Sequence, residues 1–197
     1  MFTGIIETMG IVKEIRVNGS NKEFTISSAI SNELKVDQSL AHNGVCLTVT
    51  AVENSNHQVT AIDETLLRSN LGDLKIGESI NLERAMSGLS RFDGHLVQGH
   101  VDTVGVVKSV LDKDGSWIFT FNFPEENKHL LVDKGSVCIN GVSLTVINPT
   151  TNTFQVAIIP YTYENTSFKS LQEGDPVNLE FDILGKYIAR YAAAYKI

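Results

Sequence analysis

Short runs of apolar and β-branched residues, separated by glycine, asparagine and aspartate, recur along the whole chain. Their length and residue types are typical of β-strands. Asn43-Gly44 and Asn140-Gly141 tolerate a positive φ and therefore predict tight turns just before two of these strands. Each half of the chain holds about six such runs without a long helix between them, which favours an antiparallel barrel with hidden strand edges. The runs include residues 11–15, 45–52, 58–62, 106–110, 117–123 and 154–159.

The chain contains an internal repeat, because three blocks of sequence recur in the same order in its two halves. In the most similar block six of seven residues match at an offset of 97, with Cys46 replaced by Ser143. We therefore predict two duplicated domains, at residues 1–86 and 95–183, joined by a turn-rich linker at residues 87–94. The blocks are 4–10 with 99–105, 43–49 with 140–146, and 81–83 with 178–180.

The last segment, residues 184–197, has no counterpart after the first unit. Its apolar residues Leu184, Tyr187, Ile188, Tyr191 and Tyr195 have the spacing of one helical face. The helix could cap its own barrel or bind other subunits. Because a capping role would leave the first unit without a cap, the pattern favours an oligomerisation helix.

Composition and charge exclude several classes of function. The chain has 197 residues, of which 42% are hydrophobic, and a formal net charge of −7. It is therefore not a disordered protein, and its negative charge argues against a surface for nucleic acids or anionic membranes. Two cysteines, no long apolar run and no signal-peptide pattern at the start predict a cytoplasmic protein with free thiols.

The repeated strands present polar groups that could line a ligand pocket. Alternation in a strand places Cys46 and Thr48 on one face, and Ser143 and Thr145 on the equivalent face of the second copy. Such a stripe is either solvated surface or the wall of a pocket. The glycines of the Gly4 and Gly99 blocks either form turns or let a flat ligand approach the backbone. The segments 61–65 and 158–162 leave their strands for loops, where binding residues are common.

Other chemistry is less well supported by the sequence. His95 and His100 have opposite strand parity and no nearby acidic or cysteine ligand, so they do not indicate a metal site. Cys46 lacks the local signature of a catalytic nucleophile and is replaced by serine in the second copy. It is therefore more plausible as a group that lines a pocket.

Several of these motifs together resemble riboflavin synthase of the α-chain type, from the first residue to the final helix. The motifs are Met1 to Ile6, Asn43 to Val49, Gly94 to Asp102, Asn140 to Val146 and Ile159 to Thr162. The resemblance implies an all-β fold of two Greek-key six-stranded barrels and a C-terminal helix that assembles a homotrimer. It also implies the dismutation of two 6,7-dimethyl-8-ribityllumazine molecules to riboflavin and a ribitylamino-pyrimidinedione. No metal or organic cofactor is expected, and association with lumazine synthase is an open possibility.

The resemblance also assigns lumazine contacts to residues at matching positions, in two groups. Tyr161 departs from the histidine that many members carry, and Asp182 matches an acidic position that holds ribityl hydroxyls. The N-terminal group is Gly4, Ile5, Ile6, Ser39, Cys46, Leu47, Thr48, Thr60, Ala61, Ile62, Asp63, Glu64 and Thr65. The C-terminal group is Gly99, His100, Val101, Lys134, Ser143, Leu144, Thr145, Ile158, Ile159, Pro160, Tyr161, Thr162, Tyr163 and Asp182.

The repeat suits a reaction between two copies of one substrate, since two related barrels offer two related pockets. We expect the first barrel of one subunit to face the second barrel of its neighbour. Donor and acceptor must differ, and the copies differ where Cys46 matches Ser143 and Ile5 matches His100. We therefore expect His100 and Ser143, with Cys46 and Thr145, to supply the catalytic groups. The threonines at 48, 65, 145 and 162 would orient the ring and the ribityl chain.

Two alternatives remain open at this point. The first is a non-catalytic lumazine or flavin carrier, similar to the antenna proteins of luminous bacteria, although both Leu-Thr-Val motifs are intact here. The second is an oligonucleotide-binding double barrel, which the acidic charge and the single tryptophan make weak. Which barrel holds the donor is also open.

Overall fold

A computed structural model describes residues 1–89 and 91–195. Over these residues the chain forms twelve strands, three α-helices and four short 3-10 helices. The first half contains β1 (Thr8–Asn18), β2 (Asn21–Ser27), β3 (Ser39–His42), β4 (Val45–Glu53), β5 (Asn56–Ala61), α1 (Asp63–Arg68) and β6 (Ser79–Arg84). The second contains β7 (Thr103–Asp112), β8 (Trp117–Asn122), β9 (Ser136–Ile139), β10 (Val142–Thr145), β11 (Thr153–Ile158), α2 (Pro160–Asn165), β12 (Pro176–Phe181) and α3 (Ile183–Tyr195). The 3-10 helices are Ser31–Glu33, Asn70–Asp73, Glu125–Leu130 and Ser167–Lys169.

The first six strands close into an antiparallel barrel in the order β1-β2-β5-β4-β3-β6. The pairs β2–β5 and β3–β6 are not consecutive in sequence, which is the Greek-key arrangement. Bulges lie between Val12 and Glu14 in β1 and between Val49 and Ala51 in β4. Such bulges bend strands, as the closure of a small barrel requires. Alternate side chains of β1, β2 and β4, among them Val12, Phe24 and Val49, fill its core.

The second six strands repeat this arrangement in the order β10-β9-β12-β7-β8-β11. A single bridge between Ile147 and Gln155 joins the two edges of this sheet, so the barrel is nearly closed. Its core is richer in aromatic rings than that of the first barrel, with Phe119, Phe121 and Phe168 in mutual contact. The expected pair of six-stranded antiparallel barrels with a C-terminal helix is confirmed.

The two barrels meet through a buried set of paired asparagine contacts. The amide of Asn81 donates to the carbonyl of Asn140 at 2.8 Å, and the amide of Asn178 donates to the carbonyl of Asn43 at 2.8 Å. Beside them the backbones of the turn glycines touch, because a Cβ on Gly44 would lie 2.7 Å from the nitrogen of the glycine at 141. The repeated Asn-Gly turns thus form the contact between the copies, as well as introducing their strands.

Helix α3 begins at Ile183, one residue before the predicted start, and residues 196 and 197 of the predicted segment lie outside the described residues. The five apolar side chains of its predicted face are between 59% and 71% exposed. This face therefore does not cap the barrel of its own chain. The helix is tied to its barrel by Lys186, whose Nζ lies 2.7 Å from the carboxylate of Asp102. None of the described helices is long and apolar enough to cross a membrane.

Candidate functional site

The segment before each barrel crosses to the other barrel. Phe2 forms an antiparallel bridge with Val97, with nitrogen–oxygen distances of 2.7 and 3.1 Å. Beyond this bridge the carbonyl of Gly4 accepts a hydrogen bond from the nitrogen of Ser143 at 2.8 Å. The carbonyl of Gly99 accepts one from the nitrogen of Cys46 at 2.9 Å. Each glycine block therefore lies against the polar strand of the opposite copy.

This exchange corrects the grouping of the predicted contact residues. Sequence order placed Gly4, Ile5 and Ile6 with the N-terminal barrel, and Gly99 to Val101 with the C-terminal barrel. In the structure Ile6 packs against the second core and Val101 against the first. The grouping was wrong because β1 begins only at Thr8. The residues before it are placed by the Phe2–Val97 bridge rather than by their own barrel.

A pocket of about 310 Å³ forms where the Gly99 block meets β4. Cys46, half-buried, and the exposed His100 lie in its wall, and both come from predicted site positions. Glu64 and Thr65 of α1 complete it from the side. The predicted loop at residues 61–65 is thus largely the start of a helix, because β5 ends at Ala61 and α1 begins two residues later. The full lining is Val45, Cys46, Glu64, Thr65, Arg68, Ser69, Gly99, His100, Val101 and Asp102.

The equivalent position in the second half joins the Gly4 block, β10 and α2. The large apolar side chains here are exposed: Ile5 is 47%, Ile159 59% and Tyr161 76% accessible. Exposed apolar surface beside a polar strand is suited to a flat, partly polar ligand. Behind it the rings of Trp117 and Tyr163 stack with centroids 3.8 Å apart. This stack fixes the start of α2, which takes the place of the predicted loop at residues 158–162.

His95 is the residue that the sequence reasoning missed. Its Nδ1 lies 2.6 Å from the Oγ of Ser143. Burial lowers the pKa of His95, and the nearby Asp182 carboxylate opposes part of that shift. The imidazole is therefore neutral at neutral pH and can exchange a proton with the Ser143 hydroxyl. The repeat gave no signal for it. The Gly4 and Gly99 blocks are offset by 95 residues, so the position that would match His95 falls before Met1.

The two histidines considered as a metal pair serve different places. His95 contacts Ser143 of the second barrel, whereas His100 lines the pocket beside Cys46 of the first. The described residues contain no group of three or more His, Cys, Asp and Glu side chains that could hold a metal ion.

The structure separates the other predicted residues by the direction of their side chains. Leu47, Ala61 and Ile158 are buried in the barrel cores, so only their main chains can reach a ligand. Thr48 and Thr145 are exposed, as the strand alternation predicted, and they pair across strands with Ser39 and Ser136. Leu144 is half-buried and packs against the second core. The exposed or half-buried remainder comprises Thr60, Ile62, Asp63, Pro160 and Thr162.

Three predicted residues do not line the pocket beside Cys46. Ser39 lines a cleft of about 710 Å³ on the side of the Gly4 block, together with Ile5. Lys134 is exposed at a turn with a φ of 64°. The carboxylate of Asp182 accepts a hydrogen bond from the nitrogen of Leu184 at 2.9 Å and so caps the start of α3. Their predicted substrate contacts remain predictions.

Comparison with known proteins agrees with this architecture. The family model of the lumazine binding domain matches the chain twice, at residues 3–85 and 98–182. The crystal structure of LumP complexed with riboflavin superposes with a TM-score of 0.86 at 21% identity, covering 92% of this chain and 99% of that one. LumP complexed with 6,7-dimethyl-8-(1'-D-ribityl) lumazine gives a TM-score of 0.83 at 22% identity, covering 91% and 98%. These two structures support the fold.

Relatives of higher identity are riboflavin synthases. That of Actinobacillus pleuropneumoniae is 38% identical over 97% of this chain and 89% of its own length. That of Bacillus subtilis is 37% identical with the same coverage, and that of Saccharomyces cerevisiae is 40% identical over 96% of this chain and 85% of its own length. The chain therefore belongs to the riboflavin synthase group of the lumazine binding domain family and carries that domain twice.

Proposed function

We propose that this protein converts two molecules of 6,7-dimethyl-8-ribityllumazine into riboflavin and 5-amino-6-(D-ribitylamino)uracil, as a transferase that moves a four-carbon unit between them. The observation that carries the proposal is the pair of related sites on one chain, each built from a glycine block of one copy and a polar strand of the other. A reaction between two identical substrates needs such a pair. The atoms of two substrates account for both products, so the reaction needs no oxidant or further reactant.

The first chemical requirement is the loss of a proton from the C7 methyl group of one lumazine. The carbanion delocalises into the ring and adds to C7 of the second lumazine. Groups that can move the proton are available in both places. His100 lies beside Cys46 in the first, and the neutral His95 is hydrogen-bonded to Ser143 in the second. General acid–base catalysis of this kind contributes about 10²–10⁴-fold to a rate.

The second requirement is that the two substrates meet in a fixed orientation. Correct orientation of two reactants lowers a barrier by about 7–11 kcal/mol, which makes it the larger contribution. Within this chain the two sites belong to different barrels. We infer that the first barrel of one subunit faces the second barrel of a neighbour in a homotrimer. The exposed apolar face of α3 supports this assembly, because such a face is stabilised by burial between subunits. We also propose a cytoplasmic location, which the two free cysteines support.

The direct test is incubation of the purified protein with 6,7-dimethyl-8-ribityllumazine. We expect riboflavin fluorescence to grow while the lumazine absorbance falls, with the two products in equal amounts by chromatography. Binding of lumazine without any riboflavin would contradict the proposal and favour the carrier function.

A variant at His95 tests its role in the second site. His95→Gln removes the titratable ring beside Ser143 and is expected to lower kcat by about 10²-fold if the ring moves the proton. The exposed His129, which lies on the 3-10 helix Glu125–Leu130, supplies the control His129→Gln. Equal kcat values for these two variants would contradict the role of His95.

A further inference from the structure

Two buried glutamates occupy equivalent positions at the ends of the last strands of the two barrels. Glu83 in β6 and Glu180 in β12 are separated by the repeat offset of 97 and are 4% and 3% exposed. A buried carboxylate is costly unless its oxygens accept hydrogen bonds. The partners of both residues are therefore informative.

Glu180 binds the main chain of the Gly99 block. One oxygen accepts from the nitrogen of Gln98 at 2.6 Å, and the other accepts from the nitrogens of Gly99 and His100, both at 2.9 Å. Three consecutive N–H groups thus converge on one carboxylate. The Gly99 block consequently has a fixed backbone conformation, with Gly99 at a φ of 78°.

Glu83 binds the Gly4 block in the same way. Its Oε1 accepts from the nitrogen and the hydroxyl of Thr3 at 2.7 and 2.8 Å, and its Oε2 accepts from the nitrogen of Gly4 at 3.0 Å. Gly4 has a φ of 78°, the same value as Gly99. The two carboxylates are therefore a repeated device, with one copy in each barrel.

Each carboxylate holds a glycine block that lies against the opposite barrel, because the glycine blocks are exchanged. Glu180 belongs to the second barrel but holds the block whose carbonyl contacts Cys46 in the first. Glu83 belongs to the first barrel but holds the block whose carbonyl contacts Ser143 in the second. There is little room for these blocks to shift, since a Cβ on Gly99 would lie 2.5 Å from the Cβ of Cys46.

We propose that Glu180 and Glu83 are positioning residues that set the geometry of the two substrate sites, each across the barrel boundary. Glu180 orders the site that contains Cys46 and His100, and Glu83 orders the site that contains Ser143. The proposal rests on the proposed function for its catalytic readout only. Its structural readout, the reactivity of a thiol, does not depend on turnover.

The test uses Glu180→Gln and Glu83→Gln in the full-length chain, with the exposed Glu173→Gln as the matched control. A glutamine amide places a donor against the converging N–H groups and loosens the block. A displacement near 1 Å in a catalytic site costs about 10²-fold in rate. We therefore expect each buried-site variant, but not the control, to lose about 10²-fold in kcat/KM.

Alkylation of Cys46 by iodoacetamide separates positioning from a general loss of stability. Cys46 is half-buried, whereas Cys138 is 1% exposed and unreactive in the folded protein. Loosening of the Gly99 block uncovers Cys46, so Glu180→Gln should raise its alkylation rate several-fold. Glu83→Gln should leave that rate unchanged, because the block that it holds lies on the other barrel.

Glu180→Asp distinguishes the effect of side-chain length from the effect of the negative charge. The shorter side chain keeps the negative charge but cannot reach all three N–H groups, so Cys46 should still be alkylated faster than in the parent protein. It also carries the test if the glutamine variant does not fold. The proposal would be overturned if Glu180→Asp or Glu180→Gln had the same turnover and the same Cys46 alkylation rate as the parent protein. Faster alkylation of Cys46 in Glu83→Gln alone would also overturn it. A parent protein that forms no riboflavin would overturn the proposed function instead, and the thiol readout would still decide the role of Glu180.

Discussion

Acidification from pH 7 to pH 5 is expected to destabilise the first barrel through His42 and His57, which are both fully buried. The Nδ1–H of His42 donates to the carbonyl of Leu40 at 3.1 Å, so its Nε2 accepts from the Nε2–H of His57 at 3.0 Å. The Nδ1 of His57 then accepts from the Ser31 hydroxyl at 2.9 Å. This chain of hydrogen bonds requires a neutral His42, because a proton on its Nε2 would set the N–H donors of His42 and His57 against each other.

The size of the effect follows from the two pKa values. Burial lowers the pKa of His42 to about 3, with a further contribution from His57, and burial lowers the pKa of His57 to about 4. In the unfolded chain both have a pKa of about 6.5. At pH 5 the unfolded state therefore binds protons that the native state does not. Each histidine then lowers the free energy of unfolding by about 2 kcal/mol, or about 4 kcal/mol together. This stability is fully present above about pH 6.5 and is lost as the pH falls towards the folded values.

Urea unfolding at several pH values between 5 and 7 measures this loss, and the second barrel supplies the control. At the repeat offset His42 corresponds to Ile139 and His57 to Phe154, which are both fully buried. The double variant His42→Ile, His57→Phe should reduce the pH slope near pH 5 by about 2.5 kcal/mol per pH unit. An equal slope in the parent and the double variant would refute the reasoning.

The quantity to measure is the difference in pH slope between the parent protein and the double variant. Buried acids change the stability with pH in the opposite direction to the buried histidines. Burial raises the pKa values of Glu83 and Glu180, despite the N–H groups that oppose the shift. A carboxyl group whose pKa is raised by folding contributes less stability as the pH rises through its titration range. The glutamates are common to both proteins, so their contribution cancels in the comparison.

Three further predictions concern the glycine blocks, the barrel contact and the final helix. Gly99→Ala should lower kcat at least about tenfold through its clash with Cys46, whereas Gly77→Ala, with a similar φ of 92° but open space around it, should not. Asn81→Ala removes three buried hydrogen bonds and should lower the free energy of unfolding by about 2–3 kcal/mol in urea; an unchanged midpoint would count against the barrel contact. Tyr191→Glu should reduce the molar mass measured by light scattering, and an unchanged mass would exclude α3 from the subunit contact.

The strands that the sequence predicted correctly are those with strong apolar content. The run 117–123, for example, corresponds to β8, and 45–52 corresponds to β4. Strand β2 was not singled out, because only Phe24 and Ile26 of its seven residues are large apolar groups. Local pattern does predict that Cys46 and Thr48 share the outer face of β4, since the other face of the strand packs against the core.

The arrangement of the site could not be read from local pattern. The exchange of the Gly4 and Gly99 blocks depends on the pairing of Phe2 with Val97, which are far apart in sequence and leave no periodic signal. The same is true of His95, whose partner Ser143 is 48 residues away. Motif resemblance named the strands of Cys46 and Ser143, which the structure brings against the glycine blocks, but it assigned those blocks to their own barrels. Only the tertiary structure shows that each block serves the other barrel.

The exchanged blocks also determine when the two candidate sites can form during synthesis. The strands of the first barrel all lie between Thr8 and Arg84, so this barrel can fold while the second is still being made. Its pocket, however, needs the Gly99 block, which Glu180 holds, and the Gly4 block cannot reach its place until Ser143 has emerged. Contacts between distant parts of a chain form slowly. Both glycine-block positions are therefore completed last, after both barrels exist, and an unfinished chain carries a folded barrel without its glycine block.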